Sequence, residues 1–419
     1  MTTLPPEPVP VVEALAEPLV SVPRRWVAWV TLAGLGLWAA FFGPIQVLLA
    51  QQAQLVSPGH KELVFGVVTG VGSAVSVVAN PLFGALSDRT ASRFGRRVPW
   101  VVAGALLGAL ALVLLAHATS VLAMALAWSL AQASLNAMFA ALTATVPDLV
   151  PVAERGVVGG WVAVSQTLGI VAGVGIATVT GGLVAGYYAT AAAVIVLAVP
   201  YVLGSRDLPL PAQLRPPFSL RRFVGDFRIS PREHPDFAWA WVTRFLVNFG
   251  NSLGTLLLYF YLQDAVGYAD PSAGVLVLTV VYAVFIVAST VVFGLWSDRL
   301  RRRKPFVTVS GIVTGLGALV LALVPTWPGA LCGAVVFGIG YGVYLSVDFA
   351  LCTEVLPAAA ARAKDLGVIN IAVALPQVFA PFVGSFLVAQ LGGYVTLYAV
   401  AFLVCVLGSV LVHRIKGVR

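Results

Sequence analysis

Long, almost uncharged apolar runs leave this chain few folds to choose from. A bilayer core roughly 30 Å thick is crossed by about 20 residues of helix. On that rule the runs near 25–50, 61–86, 98–118, 120–146, 156–180 and 182–204 predict six spans in the first half. Those near 237–263, 273–296, 306–326, 328–353, 366–390 and 392–412 predict six more. Hydrophobic residues make up 59% of the chain and charged residues 10%, against about 25% charged in a soluble domain. The expected fold is an all-α membrane protein with twelve transmembrane helices.

A string that occurs twice gives the internal organisation. Phe83-Gly84-Ala85-Leu86-Ser87-Asp88-Arg89 ends the second run, and Phe293-Gly294-Leu295-Trp296-Ser297-Asp298-Arg299 ends the eighth. Each is followed by basic residues and a proline: Arg93, Arg96, Arg97 and Pro99 in one copy, Arg301, Arg302, Arg303, Lys304 and Pro305 in the other. Ser87 and Ser297 are 210 residues apart in a chain of 419, so the copies occupy matching points of two half-length repeats. Tandem repeats of this kind are a signature of transporters built from two bundles. The expected units are a disordered tail at 1–24, a six-helix bundle at 25–204, a central loop at 205–235, a second six-helix bundle at 236–413 and a tail at 414–419, with pseudo-two-fold symmetry between the bundles.

Charge placement orients the chain. All Lys and Arg except Lys61 and Arg244 fall in the termini, the central loop, or the loops on the same side as these. By the positive-inside rule both termini and the central loop are cytoplasmic. The net charge of +8 therefore reflects topology, and no basic-aromatic platform suggests nucleic acid. Trp26, Trp29, Trp100, Trp239 and Trp241 near span ends, with Tyr259 and Tyr261, are expected at the membrane interface. Cys332, Cys352 and Cys405 lie in apolar runs, which gives neither a disulfide framework nor a zinc site. No metal cluster, phosphate-cradling glycine loop or nucleophile beside a base suggests an enzyme, and no cofactor is expected.

With these residues in view, the doubled Gly-x-x-x-Asp-Arg loop resembles the signature of the major facilitator superfamily. The fuller first copy, from Ser87 through Thr90-Ala91-Ser92 and Phe94-Gly95 to Val98-Pro99-Trp100, resembles the loop of the sucrose–proton symporters and of the glycoside–pentoside–hexuronide cation symporters. Asn136, followed by Pro147-Asp148-Leu149-Val150-Pro151 and Arg155-Gly156, is a second matching region. In the sucrose carriers an asparagine likewise lies twelve residues before the acid that closes helix four. The resemblance implies two six-helix bundles around a central cavity, alternating access, and a sugar as solute. Two departures qualify it. Gln132 stands where the sucrose carriers have a carboxylate, and Ser76-Val77-Val78-Ala79-Asn80-Pro81 stands where the cation symporters have sodium-coordinating aspartates. Sodium coupling by that arrangement is not expected, because a hard cation wants charged oxygen ligands.

The signature loop has a physical reading of its own. Asp88 and Asp148, at the ends of spans two and four, are within reach of Arg89, Arg93, Arg96 and Arg97, with Asp298 and Arg299 in the second repeat. Such pairs would act as a cytoplasmic latch that holds in one state and releases in the other. The alternative is a plain topology anchor.

Charges inside the membrane are rare and by default functional. Arg244 in span seven and Asp348 in span ten fall at similar depth and are expected to pair. Arg244, Asn248 and Asn251 make one helical stripe with Thr255; Tyr341, Tyr344 and Asp348 make another; Gln132 and Asn136 are one turn apart on span four, and Gln46 is in span one. Amides, phenols and one ion pair around a wet cavity suit a neutral polyol. Interhelical hydrogen bonding is the other reading of the amides. Asp348 is the one carboxylate placed to carry a proton, unless its pair with Arg244 is permanent and the protein a uniporter.

The reading that follows is a secondary active transporter for a small polar solute, a sugar or glycoside, with protons as the possible coupling ion and the lipid bilayer as its other partner. The alternatives are an efflux carrier for an amphipathic, drug-like compound and a non-transporting membrane sensor or assembly factor. Arginine-rich, Ala-, Val- and Gly-rich composition suggests a bacterial inner membrane. The oligomeric state is open and a monomer is consistent with these residues.

Overall fold

A computed structural model describes residues 18–205, 207, 234–300, 303–354 and 362–416. The expected tail at 1–24 and central loop at 205–235 fall largely outside these residues, as do Arg301 and Arg302; of Asp298 only the backbone is described. The first half holds α1 (Arg24–Val56), α2 (Lys61–Asp88), α3 (Val98–Ala116), α4 (Val121–Leu149), α5 (Arg155–Val179) and α6 (Leu183–Gly204). The second holds α7 (Pro235–Leu256 with Leu258–Val266), α8 (Pro271–Leu300), α9 (Lys304–Leu323), α10 (Trp327–Glu354), α11 (Arg362–Gln390) and α12 (Gly393–Leu411). Among the described residues, eleven of these are long and apolar enough to cross a membrane singly, and the two arms of α7, bent by 47°, are so too when taken together as one span.

Local chemistry sets the helix ends. Proline stands in the first turn of α3, α7 and α9, where a missing N–H costs no hydrogen bond. The Ser120 hydroxyl accepts from Ala123 N–H to cap α4. Asp207 reaches from the end of the first bundle to cap α3, accepting from the N–H of Arg97 and from that of Val98 at 2.8 Å. Gly392 and Gly393 take left-handed φ of 101° and 74°, which turns the chain tightly from α11 into α12.

The two halves pack alike. In the first, α1 rests on α5 and α6, α4 on α2 and α3, and α3 on α6. In the second, α7 rests on α11 and α12, α10 on α8 and α9, and α9 on α12. Helix for helix along the repeat these are the same five pairings, so the pseudo-symmetry of the duplicated string extends to the whole bundle. Gly43 on α1 and Gly173 on α5 bring two backbones together, since a Cβ on Gly43 would lie 2.8 Å from the Gly173 carbonyl oxygen.

The bundles meet through α2 with α11 and through α5 with α8. The two ends of the described chain lie on one face: Ser21 bonds Glu154 in the α4–α5 loop, and Lys416 N–H bonds Asp236 at the start of α7. Among the described residues, four hydrogen bonds, one of them also an ion pair, join the bundles at the opposite face. Gln51 donates to Ser272 at 2.9 Å, Thr178 to the Ser272 carbonyl at 3.2 Å, and Lys61 to Gln263 at 3.2 Å and Asp264 at 2.6 Å. Gly66 and Gly70 of α2 lie against Pro381, Phe382 and Ser385 of α11 in the same half, and Phe65 meets Phe260 edge to face at 5.6 Å.

Three interface expectations are corrected. Tyr259 and Tyr261 are buried, and the Tyr261 hydroxyl, donating to the Leu321 carbonyl at 2.8 Å, pegs the bent arm of α7 into its bundle. Trp26 is buried as well, its indole N–H donating to Ser205 at 3.0 Å. Cys332 is exposed on α10, whereas Cys405 is core.

Candidate functional site

In the second bundle the stripe on α7 meets the stripe on α10. Arg244 Nη1 lies 2.9 Å from Asp348 Oδ2, with both side chains almost buried, 12% and 9% exposed. Asn248, one turn beyond Arg244, donates to the Arg244 carbonyl at 2.8 Å and accepts from the Tyr341 hydroxyl at 2.9 Å. Its contact with Tyr344 at 3.5 Å is too long for a strong bond. Tyr341 and Tyr344 stack with ring centroids 5.8 Å apart, and Tyr282 on α8 donates to Asn251 at 2.7 Å. Arg244, Asn248, Asn251, Tyr341, Tyr344 and Asp348 thus come together around one ion pair.

In the first bundle α2 and α4 share a polar ladder. The Ser76 hydroxyl donates to Gln132 Oε1 at 2.5 Å, Asn136 donates to Ser76 Oγ at 2.9 Å, and Asn80 donates to Asn136 Oδ1 at 3.3 Å. Gln132 and Asn136 are therefore joined to two residues of α2. Gln46 stands apart, half-buried in a π-turn, Pro44–Leu48, that interrupts α1. Arg244 is nine residues into α7 and Asn80 eight from the end of α2, so at 1.5 Å per residue both lie about 12–14 Å in from the face with the termini.

The signature loop is knit within the first bundle. Arg97 pairs with Asp88 at 2.6 Å and Asp148 at 2.7 Å, and donates to Ser87 at 2.9 Å. Arg96 reaches Asp148 at 3.1 Å. Burial acts to lower the Arg97 pKa, but its hydrogen bond to Asp148 and the charges of Asp148 and Asp88 outweigh that and raise it. A raised arginine pKa means that the guanidinium side of this stabilisation is in place at every physiological pH and is lost as the pH rises into strong alkali. Arg93 does not join the pairs; it is exposed, with its guanidinium 4.7 Å from the Phe94 ring. Ser297 in the second repeat accepts from Arg303 at 2.9 Å, as Ser87 does from Arg97. The serine is buried in both copies, and Arg299 is exposed. None of these bonds crosses to the other bundle.

Several residues of the site escaped the sequence reading. Ser76 and Asn80 were visible as polar breaks in an apolar run, and Ser87 and Ser297 as the constant residue before each Asp-Arg. Tyr282, in an otherwise apolar stretch, carried no such signal.

The Major Facilitator Superfamily model matches residues 29–287 and again 240–416. Among solved structures, a variant of the nucleoside transporter NupG is similar at a TM-score of 0.72 and 14% identity, over 93% of this chain and 98% of that one. A POT family transporter in complex with a thioalcohol-conjugated peptide is similar at 0.72 and 12%, over 93% and 95%. Among curated proteins no sequence matches. A duplicated six-helix unit, a polar centre in each half and a family match that runs through both halves agree: the chain is a transporter, not an enzyme, and belongs to the Major Facilitator Superfamily.

Proposed function

We propose that this transporter moves a sugar or glycoside by alternating access between the two bundles, coupled to protons through Asp348, in a bacterial inner membrane with both termini cytoplasmic. The observation that carries the reading is the pairing of an amide ladder in one bundle with the Arg244–Asp348 ion pair in the other, at matching depth. A neutral, hydroxyl-rich solute finds donors and acceptors there and no uncompensated charge. Closure at the face opposite the termini fits one end state of an alternating cycle. In the other state α7 and α10 shift, Arg244 leaves Asp348, and the carboxylate is free to take up a proton.

Uptake of radiolabelled sucrose, maltose and related sugars into proteoliposomes, with and without an inward proton gradient, tests this. Accumulation driven by the gradient, abolished in Asp348→Asn, is the expected result. Equilibration without accumulation would make the Arg244–Asp348 pair structural and the protein a uniporter. On α7 the rings of Trp241, Phe245 and Phe249 stack in a row, with centroids 5.5 and 5.8 Å apart, and Phe379 of α11 meets Phe245 edge to face at 6.5 Å; this row favours a second reading, efflux of an amphipathic compound. Lack of sugar flux together with drug-stimulated proton movement would select it.

A further inference from the structure

We propose that Asn80 on α2 and Gln132 on α4 are the solute-contacting pair of the first bundle and read two adjacent hydroxyls of the transported ring. The proposal rests on the sugar reading above. Counting hydrogen bonds separates these two residues from the rest of the ladder. Asn136 is filled: its amide donates to Ser76 at 2.9 Å and to the Gln132 carbonyl at 2.8 Å, and its oxygen accepts from Asn80. Gln132 Oε1 is occupied by the Ser76 hydroxyl at 2.5 Å. Ser76 is thereby both donor and acceptor. What the protein leaves over, among the described residues, is the Asn80 oxygen with one of its N–H groups, and the Gln132 amide nitrogen.

The register of α2 says where Asn80 points. Gly66 and Gly70 lie against α11 of the other bundle, while Gly72 and Ser76 lie against Trp128 and Gln132 of α4. At 100° per residue Asn80 falls between those two directions, about 40° from Ser76 and about 40° from Gly66. That direction is the gap between the bundles, on the side toward the termini, beyond the last glycine contact with α11. Asn80 is half-buried there. An amide with open hydrogen bonds is costly against lipid and is tolerated where it lines water.

The chemistry of the remainder is specific. One acceptor and one donor on Asn80, with donors on Gln132 across the ladder, match a pair of hydroxyls, each of which both gives and receives. The hydrogen bonds of Ser76, Asn80, Gln132 and Asn136 among the described residues involve no charged group, so a carboxylate, phosphate or ammonium on the solute would lack a counter-charge at this point. A site built to bond a hydroxyl discriminates against the analogue that lacks it, because the amide is then left unpaired.

The test is uptake of a transported sugar and its monodeoxy analogues by wild type, Asn80→Ala and Gln132→Ala in proteoliposomes. Wild type should prefer the parent sugar about tenfold over one or two of the deoxy compounds, and Asn80→Ala should lose that preference at one position while KM for the parent rises. A deoxy profile identical to wild type in a variant that transports overturns the assignment of Asn80. Asn80→Cys, with Cys332, Cys352 and Cys405 replaced by alanine, supplies a readout independent of transport. It should react with a charged methanethiosulfonate reagent and be protected by the sugar. An unreactive cysteine, or a reactive one that sugar does not protect, overturns the proposal. Absence of flux of every sugar in wild type overturns the solute class itself, and the cysteine labelling still decides whether Asn80 lines the aqueous path.

Discussion

At the scale of single residues, the Arg244–Asp348 pair is the most exacting feature. Each partner alone would be a nearly buried charge, and removing one from such a pair typically costs about 3–5 kcal/mol. Arg244→Ala and Asp348→Ala should therefore each lower the unfolding temperature in detergent, while Arg244→Met with Asp348→Leu should recover most of the loss; equal destabilisation by the double and single variants would show that the two charges do not compensate each other. Ser87→Ala should be milder, removing one charge-assisted bond of about 1.5–3 kcal/mol from Arg97 while leaving both of its carboxylates in place. Thermal melts of the two sets, compared side by side, check the order. The pair was legible beforehand because charges stand out in a run where almost nothing is charged. Tyr282 and the partner of Arg93 were not, because a phenol in an apolar helix or an arginine in a basic loop has many equivalent fates until packing selects one.

Helices carry the opening and closing. Lys61 begins α2 and Asp264 stands in the π-turn that ends α7, so one ion pair bridges the first bundle to the second. Asp264 is braced within its own bundle by the Tyr394 hydroxyl at 2.7 Å, and the Lys61 ammonium also lies 5.3 Å from the centre of the Phe260 ring. Lys61→Ala should raise the population open at that face, read as a longer distance between spin labels on the tips of α1 and α7. Lys61→Asp with Asp264→Lys should restore it. Gly66→Val should act in the same direction by a different route, since a Cβ there would lie 2.7 Å from the Pro381 carbonyl oxygen and force α2 off α11. Unchanged distances in both variants would show that this face is held by other contacts. Span limits were readable to within a few residues, as long apolar runs dictate them. The π-turns and the bend in α7 were not, because a helix tolerates an extra residue per turn without any change in its apolar pattern.

For the molecule as a whole, the duplicated string indicated two bundles, and the packing repeats pair for pair between them. Chemistry broke that symmetry. The first bundle holds amides and the second adds the ion pair, a difference legible as Gln132 and Asn136 against Arg244 and Asp348, whereas the Ser76 and Asn80 links of the ladder became visible only in the packing. The anchoring of Asp207 has a last consequence. The first bundle carries its own helix cap at its very end, and the second secures Asp236 to its own final residues. Each half is thus finished at its boundary. Two separate polypeptides, divided anywhere between 207 and 234 and produced together in one cell, should find each other and rebuild a working transporter.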